Sequence, residues 1–511
     1  MASTGLRMLS EPRGSTLAQL AEAAEERFGA QSSLVFEGTT LRADEAGARA
    51  RRFAAGLATL GVGSGDRVAV CMANCPEVLQ TYHAVWRLGA AVTPLLFLLS
   101  DDELRHALTD SGARAVVTTP EFAPRIAAAS AGLDVRCVVA GDTVDGVASF
   151  AELASGREAP ITTVDPAEMA ALLYTGGTTG RSKGVVLSHD ALSSSAWAAT
   201  YAGIEAEHSV SLLPLPLAHA YGLLVATMGV HAVRPNRTVL MRWFDPAGWL
   251  SLAQEHGAQI GAVVPTMLRV LATQPLESYD LSRLERLVSG SAPLPREVLD
   301  EWRRRLPHVE VVEGYGCSET AASASSTPPG RGRDGSVGLA APSVDLRIEL
   351  LEGGDAPAGT DGEICIRTPS MMTGYWHDPD ATAAAVRDEW FHTGDVGHLD
   401  EDGYLYVVDR MKDVILRNGF NVYPRDVEEA LIRHPAVAVA AVIGRPDADN
   451  GEEVVAYVQL HPDAAVTGAE LIDYGRAHLS AVKYPREVHV LEQIPLTSIG
   501  KLDRKALRRQ T

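Results

Sequence analysis

Residues 172–188 read LLYTGGTTGRSKGVVLS, a strand that runs into glycines and hydroxyls, then a lysine, then a second strand. Gly176 and Gly177 permit positive φ and let backbone N–H groups approach phosphate oxygens closely. Thr175, Thr178 and Thr179 add hydroxyl donors and Lys183 adds a charge, so the segment suits a phosphate cradle. A flexible hairpin has the same composition. The P-loop pattern is not met, because Lys183 is followed by Gly184 and is not preceded by glycine; a cradle here works without a Walker-type helix.

Three further segments carry chemistry. In VVEGYGCSET, residues 311–320, a strand meets a glycine turn and then Ser318 and Glu319. Glu319 can ligate Mg²⁺, which takes one or two carboxylates plus substrate phosphates, and Tyr315 offers an aromatic face. A turn closed by a capping Ser-Glu pair is the alternative. WFHTGD, residues 390–395, presents Asp395 after a turn, suited to accepting hydrogen bonds from ribose hydroxyls. PLTSIGKLDRK, residues 495–505, places Lys501 after a glycine in a mobile-looking tail, which reads equally as a solvated basic end.

The elements that must position these residues follow from patterning. Short β-branched runs at 67–70, 115–118, 136–139, 210–213, 259–264 and 310–312 alternate with amphipathic stretches such as 102–111 and 295–306. Such alternation predicts α/β layers with largely parallel sheets. After about Gly335 shorter strands and Gly/Pro/Asp turns take over, with two hairpins in a smaller β-rich unit. From about Asp409 a compact α+β segment of roughly a hundred residues is long enough to fold alone. The fold expected is a large N-terminal domain of layered α/β subdomains plus a small β-rich unit, residues 1–408, followed by a small mobile α+β domain, residues 409–511.

The 511 residues carry 45 Lys+Arg against 65 Asp+Glu, a net charge of −20. An acidic surface repels a polyanion at long range, which argues against nucleic-acid binding and requires any anionic ligand to be held locally. Five cysteines, odd in number and sparse, predict no disulfide framework and fit a reducing, cytoplasmic compartment. Cys71 and Cys75 lack the second Cys/His pair of a zinc site. The N-terminal segment shows no apolar core of a signal peptide. The uncharged stretch 212–233 is interrupted by Pro214, Pro216, His219 and Gly222, which predicts buried strand, loop and helix rather than a membrane span. High alanine and arginine content suggests a GC-rich bacterial gene.

In their order, YTGGTTGRSKG, PLAHAYG, GSAPL, EGYGCSET, WFHTGD, VDRMKD, GFNVYP and PLTSIGKLDR resemble the motif series of the ANL superfamily of adenylate-forming enzymes, from about residue 30 to the end. That superfamily includes acyl-CoA and aryl-CoA synthetases, carrier-protein adenylation domains and luciferases. The resemblance implies ATP and Mg²⁺ as cofactors, an acyl-AMP intermediate, and CoA as the thiol that displaces AMP. A carrier protein or an amine is the alternative acceptor, including a member that activates nitrite. A non-catalytic nucleotide-binding protein is the third option, against which the intact lysines and Glu319 argue.

By the same resemblance, residues 175–183 hold the β- and γ-phosphates, Glu319 holds Mg²⁺, and Ser318 lies near the α-phosphate. The adenine lies among Ser291, Ala292, Pro293, Gly314, Tyr315 and Gly316, with Asp395 and Arg410 at the ribose. Lys501 bridges the acyl carboxylate and the α-phosphate, and Lys412 is the hinge about which the small domain turns. His219 matches the gate position of the family, although a hydrogen-bonded core histidine is the plainer reading. The acyl pocket is expected from His219, Tyr221, Gly222, Val264, Thr266, Met267, Gly290, Gly314 and Cys317. It is mostly apolar, which favours a medium-chain or aromatic acid; Arg269 leaves room for a dicarboxylate. Departures from the commoner motifs are Gly176 for serine, Ser182 for proline, Asp190 for asparagine, Ala218 for phenylalanine and Ser318 for threonine. The sequence is compatible with a dimer.

Overall fold

The computed structural model describes residues 14–175, 182–202, 208–350, 352–447, 449–496 and 502–509. Strands expected at 115–118, 136–139 and 210–213 form as Ala115–Thr118, Arg136–Val139 and Val210–Leu213. The others form as Arg67–Cys71, Ile260–Val263 and Glu310–Glu313, and the two helices as Asp101–Ser111 and Arg296–Arg305. Local chemistry sets such boundaries. Ser100 accepts the Glu103 N–H while Glu103 accepts the Ser100 N–H at 2.7 Å, and Gly112 in the left-handed region ends the same helix.

The chain packs as two compact units, Met1–Asp345 with Arg367–Phe391, and Leu346–Ile366 with His392–Thr511. The smaller unit thus takes in most of the short-strand region as well as the C-terminal α+β segment. The larger unit contains two sheets. One has seven strands ordered Glu310–Glu313, Arg286–Ser289, Ile260–Val263, Val210–Leu213, Arg237–Leu240, Ser33–Phe36 and Thr39–Arg42, parallel except for the last pair. In the other, Lys183–Ser188 runs antiparallel to Met169–Thr175, which joins a parallel run through Ala91–Pro94, Arg67–Cys71, Ala115–Thr118 and Arg136–Val139. Strands buried on both faces explain the near-continuous apolar runs in the sequence. Trp86, Trp249 and Trp302 fill the layers, and buried Trp86 and Trp302 donate their indole N–H to the carbonyls of Ala170 and Leu268.

In the smaller unit one sheet is ordered Asp345–Glu349, Gly362–Arg367, Trp390–Leu399, with Leu405–Arg410 antiparallel to the last. The other pairs Val437–Asp447 with Gly451–Leu460, and Ile415, Val427, Leu431, Val442 and Val454 form a core of their own beneath it. Among the described residues no helix is long and apolar enough to cross a membrane. The uncharged stretch forms the Val210–Leu213 strand, a loop and the Ala220–Met228 helix, as expected.

His189, at the start of the helix His189–Ala202, is fully buried, and its Nδ1 accepts the Leu17 N–H at 3.3 Å. Burial lowers its pKa from 6.5 to about 4. As pH falls the unfolded chain therefore takes up this proton first, and stability present above pH 6.5 is lost on the way down to about 4. The slope contributed is at most about 1.4 kcal/mol per pH unit. Urea midpoints of wild type and His189→Gln at neutral and mildly acidic pH are expected to converge as pH falls through this window; parallel curves would refute the assignment.

Candidate active site

Four parallel neighbours, Val210–Leu213, Ile260–Val263, Arg286–Ser289 and Glu310–Glu313, end at one edge of the seven-stranded sheet. From those four ends run residues 214–222, 264–267, 290–293 and 314–319, which hold the expected acid- and adenine-binding positions. After Val210–Leu213 the chain crosses to Arg237–Leu240 on one side and then to Ile260–Val263 on the other. Strand order reverses there, and ligands of open parallel sheets sit in the crevice at such a reversal. His219, Tyr221 and Gly222 follow one of the flanking strands; Val264, Thr266 and Met267 follow the other.

His219 is the N-cap of the Ala220–Met228 helix, its Nδ1 accepting the Tyr221 N–H at 3.2 Å. Tyr221 donates its hydroxyl to the Val288 carbonyl at 3.0 Å, and its ring is 3.2 Å from where a side chain on Gly290 would begin. Gly222 is required by packing, since a Cβ there would lie 2.0 Å from the Pro216 oxygen. Ser291 adopts φ 71°, Ala292 and Pro293 are exposed, and the next N–H, of Leu294, is donated to Glu313 at 2.9 Å. The turn after one strand is thereby tied to the end of its neighbour. Gly314 extends the ladder by donating to Ser289, and Tyr315 bridges to Ser325. Gly316 cannot carry a side chain, for a Cβ would meet the Ala322 carbonyl oxygen at 2.3 Å. Cys317 then leads into the single turn Ser318–Thr320.

Glu319 Oε1 accepts the Tyr375 hydroxyl at 2.8 Å, and its backbone carbonyl accepts the Met372 N–H. Burial, reinforced by the Glu319 charge, raises the Tyr375 pKa and keeps the phenol a donor. The Lys183 ammonium lies 4.9 Å from the centre of the same ring and 3.7 Å from Asp378. Tyr375 thus joins Lys183 and Glu319, which the sequence separates widely. Neither Tyr375 nor Asp378 was expected at this site. The available signal was Asp378 before Pro379, an N-cap signature: Asp378 does cap the Pro379–Ala385 helix. Glu319 offers the half-buried, hard oxygen donor that Mg²⁺ takes.

Thr175 and Lys183 pair across the base of the glycine loop, whose Gly176, Gly177, Thr178 and Thr179 lie outside the described residues. In the smaller unit Asp395 is buried, and Arg410, opposite it on the neighbouring strand, donates Nε to its carboxylate at 2.7 Å. Lys412 follows in the turn Met411–Asp413, where Arg508 pairs with Asp413 at 2.8 Å. Lys501 also lies outside the described residues, but its flanks are placed. Leu496 bridges Leu502, Asp503 donates its N–H to Pro495, and Arg504 binds both oxygens of Glu428 at 2.7 and 2.9 Å.

Comparison with known proteins agrees with this arrangement. The model of the AMP-binding enzyme family matches residues 20–376, and that of the AMP-binding enzyme C-terminal domain matches residues 426–501. Feruloyl-CoA synthase of Amycolatopsis sp is 36% identical over 479 residues, 93% of this chain and 94% of that protein. Among solved structures, the amide bond synthetase McbA from Marinactinospora thermotolerans superposes with a TM-score of 0.87 at 30% identity, covering 97% of this chain and 100% of that one. The o-succinylbenzoate coenzyme A synthetase MenE from Bacillus subtilis, in complex with ATP and magnesium ion, gives 0.85 at 29%, covering 96% and 99%. Sheet-edge geometry, the ordered motifs and these end-to-end likenesses agree: the chain belongs to the AMP-binding enzyme family, within the ANL superfamily of adenylate-forming ligases.

Proposed function

We propose that the chain is an acid:CoA ligase that adenylates a hydrophobic, preferably aromatic, acid and passes the acyl group to CoA. The observation that carries this reading is the likeness to feruloyl-CoA synthase over 93% of the chain, with Lys183, Glu319, Asp395, Arg410 and Lys501 all present. A carboxylate is a poor electrophile because its leaving group is oxide. In the first step its oxygen attacks the α-phosphorus of ATP, an O–P bond forms, and the bond to the β-phosphate breaks to release pyrophosphate. In the second, the CoA sulfur attacks the acyl carbon, its proton is lost, and AMP leaves with the C–O electron pair.

Lys183 and residues 175–179 hold the outer phosphates, and Ser318 lies near the α-phosphate. Glu319 holds Mg²⁺, which when bound neutralises phosphate charge. Asp395 accepts from the ribose hydroxyls, with Arg410 fixing its carboxylate. The adenine is held by Ser291, Ala292, Pro293, Gly314, Tyr315 and Gly316. Lys501 stabilises charge on the carboxylate and α-phosphate during the first step only. Lys412 is the hinge of a C-terminal domain beginning near residue 409, and the enzyme acts in the cytoplasm. His219, Tyr221, Val264, Thr266, Met267 and Cys317 border the acid, where an apolar lining selects a flat hydrophobic group over a charged one. The likeness to an amide bond synthetase supports a second reading, in which an amine takes the acyl group in place of CoA.

Pyrophosphate release over a panel of aryl acids, fatty acids, malonate and nitrite, with and without CoA, decides between these. Turnover that rises with CoA and yields a thioester is expected; release indifferent to CoA, with amide formed from added amine, would establish the second reading. Lys501→Ala is expected to slow acid-dependent pyrophosphate release about 100-fold or more while sparing thioester formation from supplied acyl-AMP. Tyr375→Phe removes one hydrogen bond to a carboxylate and is expected to raise the Mg²⁺ concentration for half-maximal rate about 10-fold. An unchanged Mg²⁺ requirement would separate Tyr375 from the metal-binding role of Glu319.

A further inference from the structure

Beside the strand that carries Asp395, the smaller unit gathers four side chains with metal-ligand chemistry and no assigned role at ATP or acid, Glu349, Glu363, Cys365 and His392. They come from three neighbouring strands, Asp345–Glu349, Gly362–Arg367 and Trp390–Leu399. Glu363 and Cys365 are two apart on the central strand and so share a face, with Glu349 and His392 supplied from either side. One ligand atom of each lies within 4.8 Å of all the others. His392 Nδ1 is 2.9 Å from Glu363 Oε2 and 3.5 Å from Glu349 Oε2. Cys365 Sγ is 3.4 Å from His392 Nδ1 and 3.8 Å from Glu349 Oε2.

Those four separations are close to edges of a coordination tetrahedron, and the other two pairs lie within 4.8 Å. Zinc bonds of about 2.3 Å to sulfur and about 2.1 Å to nitrogen and oxygen give ligand-to-ligand edges of about 3.6 Å where sulfur takes part and about 3.4 Å between nitrogen and oxygen. Each of the four falls within about half an ångström of these values. Cys365 is fully buried, and the His392 and Glu363 side chains are only 6% and 13% exposed. We propose that Glu349, Glu363, Cys365 and His392 form a divalent transition-metal site, with zinc as the best-suited ion. A mixed sulfur, nitrogen and oxygen donor set in a tetrahedron is the environment zinc prefers over Mg²⁺ or Ca²⁺.

Charge supports the assignment. Arg347, two residues before Glu349, places its guanidinium 3.6 Å from Glu349 and 3.7 Å from Asp355. A thiolate and the two carboxylate ligands make three negative charges, of which a divalent ion offsets two; Arg347, shared between Glu349 and Asp355, offsets part of the third. On binding, the Cys365 proton passes to solvent and a metal–sulfur bond takes its place; burial otherwise raises the thiol pKa to about 12 and keeps it neutral. The competing arrangement is a His392 imidazolium held between the two carboxylates beside a neutral thiol. Glu363 has a second role, since its Oε1 accepts the Gly394 N–H at 3.0 Å, and Gly394, at φ 68°, immediately precedes Asp395 in the strand Trp390–Leu399. An ion on Glu363 and His392 therefore stiffens the strand that carries the proposed ribose ligand.

The test is titration of the chelator-treated, full-length protein with Co²⁺, a spectroscopic stand-in for zinc, in the absence of nucleotide. Expected are one Co²⁺ per chain, tetrahedral d–d bands and a thiolate-to-cobalt charge-transfer band, all removed by one equivalent of zinc. Cys365→Ser is expected to abolish the charge-transfer band, and His392→Gln to weaken zinc binding by about 100-fold or more, with circular dichroism checking that each variant folds. Cys317→Ser, altered beside Glu319, is expected to leave the band in place. A wild-type protein without the band supports the imidazolium arrangement and overturns the proposal, as does a band that survives Cys365→Ser or disappears with Cys317→Ser.

Discussion

A chain with 65 acidic and 45 basic residues must bind a triphosphate without help from its overall field. Attraction has to come from short-range donors, and each of the two described cations assigned to ATP is held beside a carboxylate. Lys183 lies 3.7 Å from Asp378, and Arg410 is 2.7 Å from Asp395. The two pairs differ in kind. Lys183 and Asp378 are 45% and 41% exposed, so their pairing contributes between about 0 and 1 kcal/mol and yields readily to a phosphate. Asp395 is 7% exposed at its side chain and more firmly held; it is fixed as an acceptor before any ligand arrives.

The same constraint explains the density of glycines at the sheet edge. Where side-chain cations are few, backbone N–H groups supply much of the attraction for an anion, and they can do so only where the backbone comes close. Gly222, in the Ala220–Met228 helix, and Gly316, after Glu310–Glu313, have carbonyl oxygens 2.0 and 2.3 Å from the position of an added Cβ, so backbone packs against both at the limit of approach. Parallel strands buried on both faces provide the rigid base for this, because four consecutive strand ends are held side by side by their ladder. The cross-tie from Leu294 to Glu313 then fixes one loop against the next.

Much of this was legible in the sequence wherever a signal is local. Periodicity located the strands to within a residue or two, since apolar runs between polar segments are set by the layers that bury them. Glycine, hydroxyl and charge spacing marked the strand ends at Thr175 and Lys183 and the turn that follows Glu310–Glu313. What the sequence hid is pairing at a distance. Tyr375 reaches Glu319 because the short strand Gly374–Tyr375 meets the turn Ser318–Thr320, and Glu349, Glu363, Cys365 and His392 converge because their strands are neighbours in a sheet. No local pattern encodes strand order. His219 shows a different limit, because one nitrogen caps a helix in the manner of an ordinary structural residue while its place after the Val210–Leu213 strand also suits the site role proposed for it.

Lys501, proposed above to act in the first half-reaction, lies outside the described residues, but unreactive groups anchor the chain beside it. An electrostatic effect of a side chain on one phosphate oxygen is worth little unless both are restrained. The restraint visible beside Lys501 is structural. Leu496 and Leu502 bridge, Leu507 is fully buried, and Arg504 grips Glu428, whose Oε1 also accepts the Val442 N–H. The Arg504 and Glu428 side chains are 19% and 10% exposed, so removing either partner strands a buried charge at a cost of about 3–5 kcal/mol. That cost is far larger than a surface ion pair could impose, and it is concentrated three residues from the lysine. The pair thus anchors the described segment Leu502–Arg508, which directly follows the position proposed above for the electrostatic role.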